Sequence, residues 1–220
     1  MPDKRANRYA VNGLAEAEFQ PGSGKRILKN RLGIKSKRQI DQAEASAILQ
    51  TAQWAVRHFA KNHRFTESDI RRIHRVFLGK IYGWAGHYRN VNIRKGGFPF
   101  AAAGQIPKLM SEFSRQVLAR YTPCAFTDKT KIARAIGIVH AELLLIHPFR
   151  EGNGRIARLL ADLMSMQADL PPLDYGFIKG KAKERYYWAI QQSLKRKYNP
   201  ITMIIKEALR RSLCSPDKVK

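Results

Sequence analysis

Cysteine, acidic side chains and long apolar runs are all scarce in this sequence, and each scarcity excludes something. Only Cys124 and Cys214 occur, and neither belongs to a CxxC pair. There is thus no disulfide framework and no zinc motif of paired thiolates, which fits a reducing, cytoplasmic setting. The purely apolar stretches, such as Leu143 to Ile146, fall far short of the roughly 20 residues that span a bilayer. No secretory leader is expected, because no apolar segment follows the opening Met-Pro-Asp-Lys-Arg. Asp and Glu number 17 against 41 Lys and Arg, a formal net charge of +24. Such a field draws in acidic partners, whether nucleic acid, nucleotide, acidic protein or anionic membrane.

What is present is enough for one domain with a sizeable core. The chain has 220 residues, of which 44% are hydrophobic. The positive excess is densest over residues 1–38 and 179–220. The organisation expected is a basic N-terminal arm or leader over 1–35, a core domain over 36–200, and a C-terminal helix with a basic tail over 201–220. Residues 1–26, with their Pro21-Gly22-Ser23-Gly24 turn signal, read as a mobile arm or loosely docked strand. Leu28, Leu32 and Ile34 follow as a short docking element.

From about Ser36 to Asn62, Ile40, Ala43, Ala47, Ile48, Thr51, Trp54 and Ala55 recur at helical spacing. Thr66 has the character of an N-cap, with Glu67 and Asp69 in the first turn behind it. Ile70, Ile73, Phe77 and Ile81 give that helix a buried stripe, and the glycines at 83 and 86 end it. Val91 and Ile93 then alternate with polar residues before Gly96-Gly97, the pattern of a short β-hairpin. Helical patterns resume near 105–121, 128–146, 153–167, 181–197 and 201–213. The fold class expected is all-α, a helical bundle with one hairpin.

The most informative stretch runs from His147 to Arg158. Gly152 and Gly154 allow close backbone approach where a helix begins, and open N–H groups at a helix start favour an anion. Arg155 and Arg158, three apart, suit a polyphosphate better than a single carboxylate. Glu151 suits a Mg²⁺ ion bridging phosphate oxygens. A histidine ordinarily titrates near neutral pH, so His147 can act as general base for an incoming hydroxyl. Together these are the parts of a phosphorus-centred transfer.

The same residues carry a resemblance. His147 to Arg158 matches the Fic-family signature HPFx(D/E)GNGRxxR at every specified position. The likeness extends over about residues 24–205, including Gly24 to Ile34, Ile73-His74, Trp84-Ala85-Gly86, Tyr88-Arg89 and the run from His140 into the motif. It implies a Fic-type helical bundle and AMP transfer from ATP to a Tyr, Thr or Ser hydroxyl of a target protein. By the resemblance, His147 is the base and Glu151 holds Mg²⁺ on the α- and β-phosphates. Gly152, Asn153 and Gly154 form the anion hole, Arg155 meets the β-phosphate and Arg158 the γ-phosphate. Phe149 packs beneath the loop, and Tyr187, in a Tyr-x-Ala arrangement with Ala189, lies near the nucleotide. The hairpin at Ile93, Arg94, Lys95, Gly96, Gly97 and Phe98 becomes a flap that clamps the target by strand pairing.

Three alternatives stand beside this reading. The death-on-curing branch of the family has a lysine in place of the second glycine and transfers phosphate. A catalytically silent Fic-like module would lack an intact His147 and Glu151. A basic nucleic-acid-binding protein would explain the charge, although no zinc finger, RNP-like motif or clear helix-turn-helix is present. Many family members also carry an inhibitory helix, (S/T)xxxE(G/N). None of the nine glutamates here has Ser or Thr four residues before it. By the resemblance, either the enzyme is unrestrained or a separate small antitoxin supplies a glutamate that engages Arg158. The second is expected, because an unrestrained transferase would harm its host. Stand-alone family toxins act on DNA gyrase and topoisomerase IV, which makes those subunits candidate targets.

Overall fold

The computed structural model describes residues 15–214. The start of the expected arm and the end of the expected tail lie outside the described residues. Those described group into two compact units that interleave along the chain. One comprises 15–58, 67–111 and 146–156; the other comprises 59–66, 112–145 and 157–214.

The first unit is built on α1 (Lys37–His58) and α2 (Glu67–Leu78). Helix α2 starts directly after Thr66, with Glu67 and Asp69 in its first turn, and buries Ile70, Ile73, His74, Phe77 and Leu78. It stops earlier than its sequence pattern implies. The Gly79 N–H reaches back to the Arg75 carbonyl at 2.8 Å, and a Cβ at Gly79 would lie 2.5 Å from that oxygen. The N–H groups of Ile81 and Tyr82 then fold onto the Leu78 carbonyl at 2.9 and 2.7 Å. Ile81 is buried, but from this turn and not from the helix. In α1 the buried positions are Ile40, Glu44, Thr51 and Ala55, so the stripe contains a carboxylate.

Of the two forms expected for this segment, residues 15–26 take the docked one and not the mobile one. Glu16, Ser23 and Ile27 are buried, and Phe19 and Leu28 form an antiparallel bridge. Gln20 N–H donates to Ile27 O at 2.8 Å and Lys29 N–H to Glu18 O at 2.9 Å. Docking rests on Ile27 and Asn30, while Leu32 is exposed. The Asn30 amide donates to the carbonyls of Leu28 and Ile34 and accepts the Ile34 N–H.

The hairpin forms as β1 (Arg94–Lys95) and β2 (Phe98–Pro99), paired Arg94 with Pro99 and Lys95 with Phe98. Gly96 and Gly97 turn it with φ of 56° and 83°, the left-handed pair that a two-residue hairpin turn requires. Ala17, Val91 and Ile93 form a small buried cluster at its base, with Phe100 packed against them.

Helix α3 (Ile106–Glu112) is followed by a π-helical stretch, Phe113–Leu118, and by α4 (Ala119–Tyr121). The second unit continues with α5 (Lys129–Ile146), most of α6 (Asn153–Gln167), α7 (Lys181–Gln192) and α8 (Asn199–Cys214). Helix α7 passes into a 3₁₀ turn over Ser193–Lys195 and ends at Arg196, which has φ 56°, so the single helix expected to 197 is cut short. Among the described residues no helix is long and apolar enough to cross a membrane.

Gly137 sets the approach of α5 to α8, because a Cβ there would stand 3.4 Å from Thr202 N and 3.5 Å from Ile201 Cγ2. Replacing it with a bulky residue forces the two helices apart. Gly137→Leu should cost about 1–3 kcal/mol by overpacking, read as a lower urea midpoint at unchanged m-value.

Candidate active site

The motif loop begins where α5 ends. His147 adopts a left-handed backbone with φ 53° and is half-buried. Gly152 has φ 83°, and a Cβ there would meet Phe77 Cε1 at 3.0 Å and Leu78 Cδ1 at 3.2 Å, so only glycine suits the position. Gly154 differs: a Cβ would meet nothing within 4 Å, so glycine there keeps the start of α6 bare. The N–H groups of Arg155 and Ile156 both bond Gly152 O at 3.0 Å and open the helix. The N–H groups of Asn153 and Gly154, ahead of them, have no acceptor within the helix, as at any helix start.

Buried polar groups hold this loop by its main chain. Arg89 is 1% exposed. Its Nε donates to His147 O at 2.8 Å, Nη1 to Val91 O at 2.6 Å, and Nη2 to Ala101 O at 2.6 Å and Ile146 O at 3.4 Å. Its own N–H donates to Pro148 O at 2.9 Å. Burial pushes the Arg89 guanidinium down to about 10, and it stays charged at neutral pH. Arg150 Nε donates to Glu16 O at 2.7 Å, and the Glu16 carboxylate accepts the Asn90 N–H at 2.5 Å. The Asn153 side chain accepts Phe149 N–H at 2.8 Å and donates to Phe149 O at 2.7 Å, which staples the loop across its width.

His74 forms the floor. Its Nδ1 accepts the Gly86 N–H at 2.8 Å, so its proton lies on Nε2, which donates to Glu151 O at 3.0 Å. The ring stacks on Phe149 with centroids 3.8 Å apart. Burial is the main cause that brings the His74 pKa down to about 4, so the ring is neutral.

Above this floor stand the groups that can do chemistry. The His147 ring stacks on Phe100 at 3.7 Å. The Glu151 side chain is 45% exposed, and one of its oxygens accepts the Gly152 N–H at 3.0 Å. Arg155 Nη1 pairs with Glu44 Oε2 at 2.7 Å, and its guanidinium lies 4.9 Å from the Phe77 ring centre. The hairpin exposes Arg94, Lys95, Gly96 and Gly97 and half-exposes Phe98. Ile93 is buried, and its carbonyl accepts the Phe100 N–H at 3.1 Å.

Arg158 and Tyr187 belong to the second unit. The Arg158 guanidinium lies 5.2 Å from the Tyr175 ring and 6.0 Å from the Tyr186 ring. His140 donates from Nδ1 to Ala157 O at 3.1 Å, so its Nε2 accepts the Tyr186 hydroxyl at 2.6 Å. Burial lowers the His140 pKa to about 4 and raises the Tyr186 pKa to about 12. Tyr187 is half-buried, its ring 5.7 Å from that of Tyr186 and 6.0 Å from Lys183 Nζ. Tyr186, with no motif to mark it, is the tyrosine that shares Arg158 with Tyr175. Arg89 and His74 fall within the stretches that carry the resemblance, but no role is read for them there, and Glu44 is not singled out at all. A Glu in an otherwise apolar helical stripe was the one available signal.

Two measurements check this architecture. A histidine held neutral in the fold stabilises it above its unfolded pKa near 6.5 and loses that contribution as pH falls toward 4. Urea unfolding should therefore show stability declining from pH 7 to pH 5, with His74 contributing roughly 1–2 kcal/mol. His74→Asn should make the decline shallower and leave the part that the equally buried His140 contributes. Arg89→Lys should cost about 2–4 kcal/mol, because an ammonium cannot reach four carbonyls spread around a planar fork, and melting temperature reads the loss.

The comparisons agree with the geometry. Residues 64–165 match the Fic/DOC family. The chain is 32% identical over 132 residues to protein adenylyltransferase VbhT of Bartonella schoenbuchensis, covering 60% of this chain and 27% of that protein. It is 28% identical over 190 residues to protein adenylyltransferase Fic of Aedes aegypti, covering 85% and 36%. It thus spans well under half the length of these two relatives. Among solved structures, BepC of Bartonella tribocorum with bound AMPPNP superposes with TM-score 0.67 at 24% identity, over 82% of this chain and 91% of that one. The Fic domain of Bep8 from Bartonella sp. 1-1C gives 0.71 at 16% identity, over 94% and 97%. At these identities the likeness is one of fold, and it is the fold described above. The motif loop, the helices that carry it and the matched span agree: residues 64–165 form a Fic domain.

Proposed function

We propose that this chain is a protein adenylyltransferase, moving AMP from ATP onto a Tyr, Thr or Ser hydroxyl of a target protein. The observation that supports the reading most is the loop from His147 to Arg155. An imidazole, a half-exposed carboxylate, a bare helix start and a guanidinium project from a backbone held on its buried side by Arg89, His74 and Asn153. Relatives of the chain are named protein adenylyltransferases.

In the proposed step the target oxygen attacks the α-phosphorus while His147 takes the hydroxyl proton. The bond from that phosphorus to the oxygen bridging it to the β-phosphate breaks, and pyrophosphate leaves. The open N–H groups of Asn153 and Gly154 face the charge that develops on the α-phosphate, and Gly152, whose N–H donates to Glu151, shapes the turn that presents them. Because the Asn153 side chain is engaged with Phe149, its contribution to the anion hole comes from its main-chain N–H. Arg155 and Arg158 hold the outer phosphates. Glu151 suits Mg²⁺, which is commonly held by one or two carboxylates together with phosphate and water. Among the described residues no group of three or more His, Cys, Asp or Glu side chains could cage a metal. A bound Mg²⁺ would neutralise charge on the departing pyrophosphate. Main-chain edges of the hairpin Arg94–Pro99 would receive the target segment, and Ile93 anchors that hairpin from inside.

The chain acts, in this reading, in the cytoplasm as the toxin of a toxin–antitoxin pair. No glutamate in it follows Ser or Thr by four residues, so the inhibitory glutamate would come from a small acidic antitoxin directed to Arg158. DNA gyrase and topoisomerase IV subunits are the targets to test first.

The experiment uses a lysate incubated with the protein and ATP labelled at the α- or the γ-phosphate. Label should enter the target from the α-position only, with the mass increment of AMP. His147→Ala should reduce transfer by about 10²–10⁴-fold and leave ATP affinity within about twofold. Transfer from the γ-position would move the protein to the phosphotransferase branch, and undiminished transfer by His147→Ala would remove the base.

A further inference from the structure

We infer that Glu44 and Tyr82 are positioning residues for Arg155, forming a buried clamp that presents its guanidinium to the triphosphate; the inference rests on the AMP transfer proposed above. Glu44 lies in the buried stripe of α1 and is 6% exposed. A carboxylate rarely occupies such a place, because losing its hydration is costly unless every oxygen is satisfied. Here both are: Oε1 accepts the Tyr82 hydroxyl at 2.6 Å, and Oε2 accepts Arg155 Nη1 at 2.7 Å. Burial, with the charge of Glu44 next in effect, pushes the Tyr82 phenol well above its usual range, so the hydroxyl remains a donor.

The guanidinium is thereby fixed from behind by Glu44 and from one face by Phe77, while Nη2 lies 3.6 Å from Glu151 Oε1. Its side chain is 31% exposed, so part of the fork still faces outward. A hollow of about 310 Å³ is lined by Glu44, Tyr82, Glu151 and Arg155, with Arg26 and the ion-paired Lys37 and Asp41 at its edge. A carboxylate that competes with phosphate must be able to leave. Glu44 is buried and held by Tyr82, so it stays, and its effect is orientation. A guanidinium already fixed before the nucleotide arrives loses less freedom when it grips phosphate, and less again as charge builds in the transition state.

The test uses the full chain and the variants Glu44→Ala, Glu44→Gln, Tyr82→Phe, Arg155→Ala and the double variant Glu44→Ala/Arg155→Ala. The readouts are kcat and KM for α-labelled ATP, ATP·Mg affinity by calorimetry, and melting temperature. Glu44→Ala should lower kcat/KM for ATP by about 10–100-fold, and Tyr82→Phe by about 3–10-fold. Glu44→Gln, which keeps the shape and one hydrogen bond, should fall between wild type and Glu44→Ala. In the Arg155→Ala background, Glu44→Ala should change kcat/KM by less than about threefold, because its effect passes through the missing guanidinium.

Full multiplicativity of the two losses would overturn the clamp, since a general packing defect would act in either background. Tighter ATP binding with faster transfer by Glu44→Ala would also overturn it, making Glu44 a competitor for Arg155. If Glu44→Ala fails to fold, Glu44→Gln and Tyr82→Phe decide, and wild-type kinetics in both would overturn the clamp. The two layers fail separately. A wild-type protein that binds ATP but transfers no AMP, with binding weakened by Glu44→Ala, rejects the proposed reaction and keeps the clamp. An active wild type matched by Glu44→Ala does the reverse.

Discussion

The buried guanidinium of Arg89 is the constraint on which the site depends. It satisfies four main-chain carbonyls that have no place in regular structure: two flanking the hairpin, one at the end of α5 and one on His147. Without a donor of that shape these oxygens would be buried and unpaired, each a substantial penalty. One planar cation thus fixes where the helix stops, where the left-handed residue begins and where the hairpin leaves the body of its unit. A strained backbone at His147 persists because its surroundings over-determine it.

The other buried polar groups follow the same division of labour. His74 holds Glu151 by its carbonyl, Asn153 holds Phe149 by its peptide, and Glu16 holds Asn90 by its N–H. Each engages main chain from the inside, which leaves the side chains of His147 and Glu151 half-buried and turned to chemistry. Glu44 and, in the second unit, His140 differ in that they hold side chains, Glu44 those of Arg155 and Tyr82 and His140 that of Tyr186. The neutral state of His74 belongs to this design. A charged imidazole there would offer two donors, and the Gly86 N–H would lose its acceptor.

Much of this was legible in the sequence, for reasons that particular residues make clear. Helix α6 spans 153–167 as its periodicity implies, because a glycine-rich start and the apolar positions 156, 159, 160 and 163 specify a helix locally. The hairpin was legible because Gly96-Gly97 carries its turn within two residues. The buried holders were not. Arg89 bonds a carbonyl 58 positions away and His74 one 77 away, and a main-chain acceptor has no residue type to search for. The end of α2 was misplaced because Ile81 continues the apolar pattern from a turn. Around Glu16 the sequence does not decide between a mobile arm and a docked strand, because the anchors are single polar contacts and an isolated bridge, which leave no periodicity.

Attachment through main-chain oxygens also governs which positions are free to vary as such a sequence diverges. The side chains of Val91, Ala101 and Ile146 contribute nothing to the bonds that Arg89 makes; only the path of their backbone does. Arg89 answers to four carbonyls at once and admits no substitute of different shape. The residues it holds can be exchanged for any that keep the same dihedral angles and local packing. A lineage could therefore rewrite the hairpin and its approach, and with them the surface shown to other proteins, while the machinery beneath keeps its place. The group that would permit such drift is a guanidinium that stays buried.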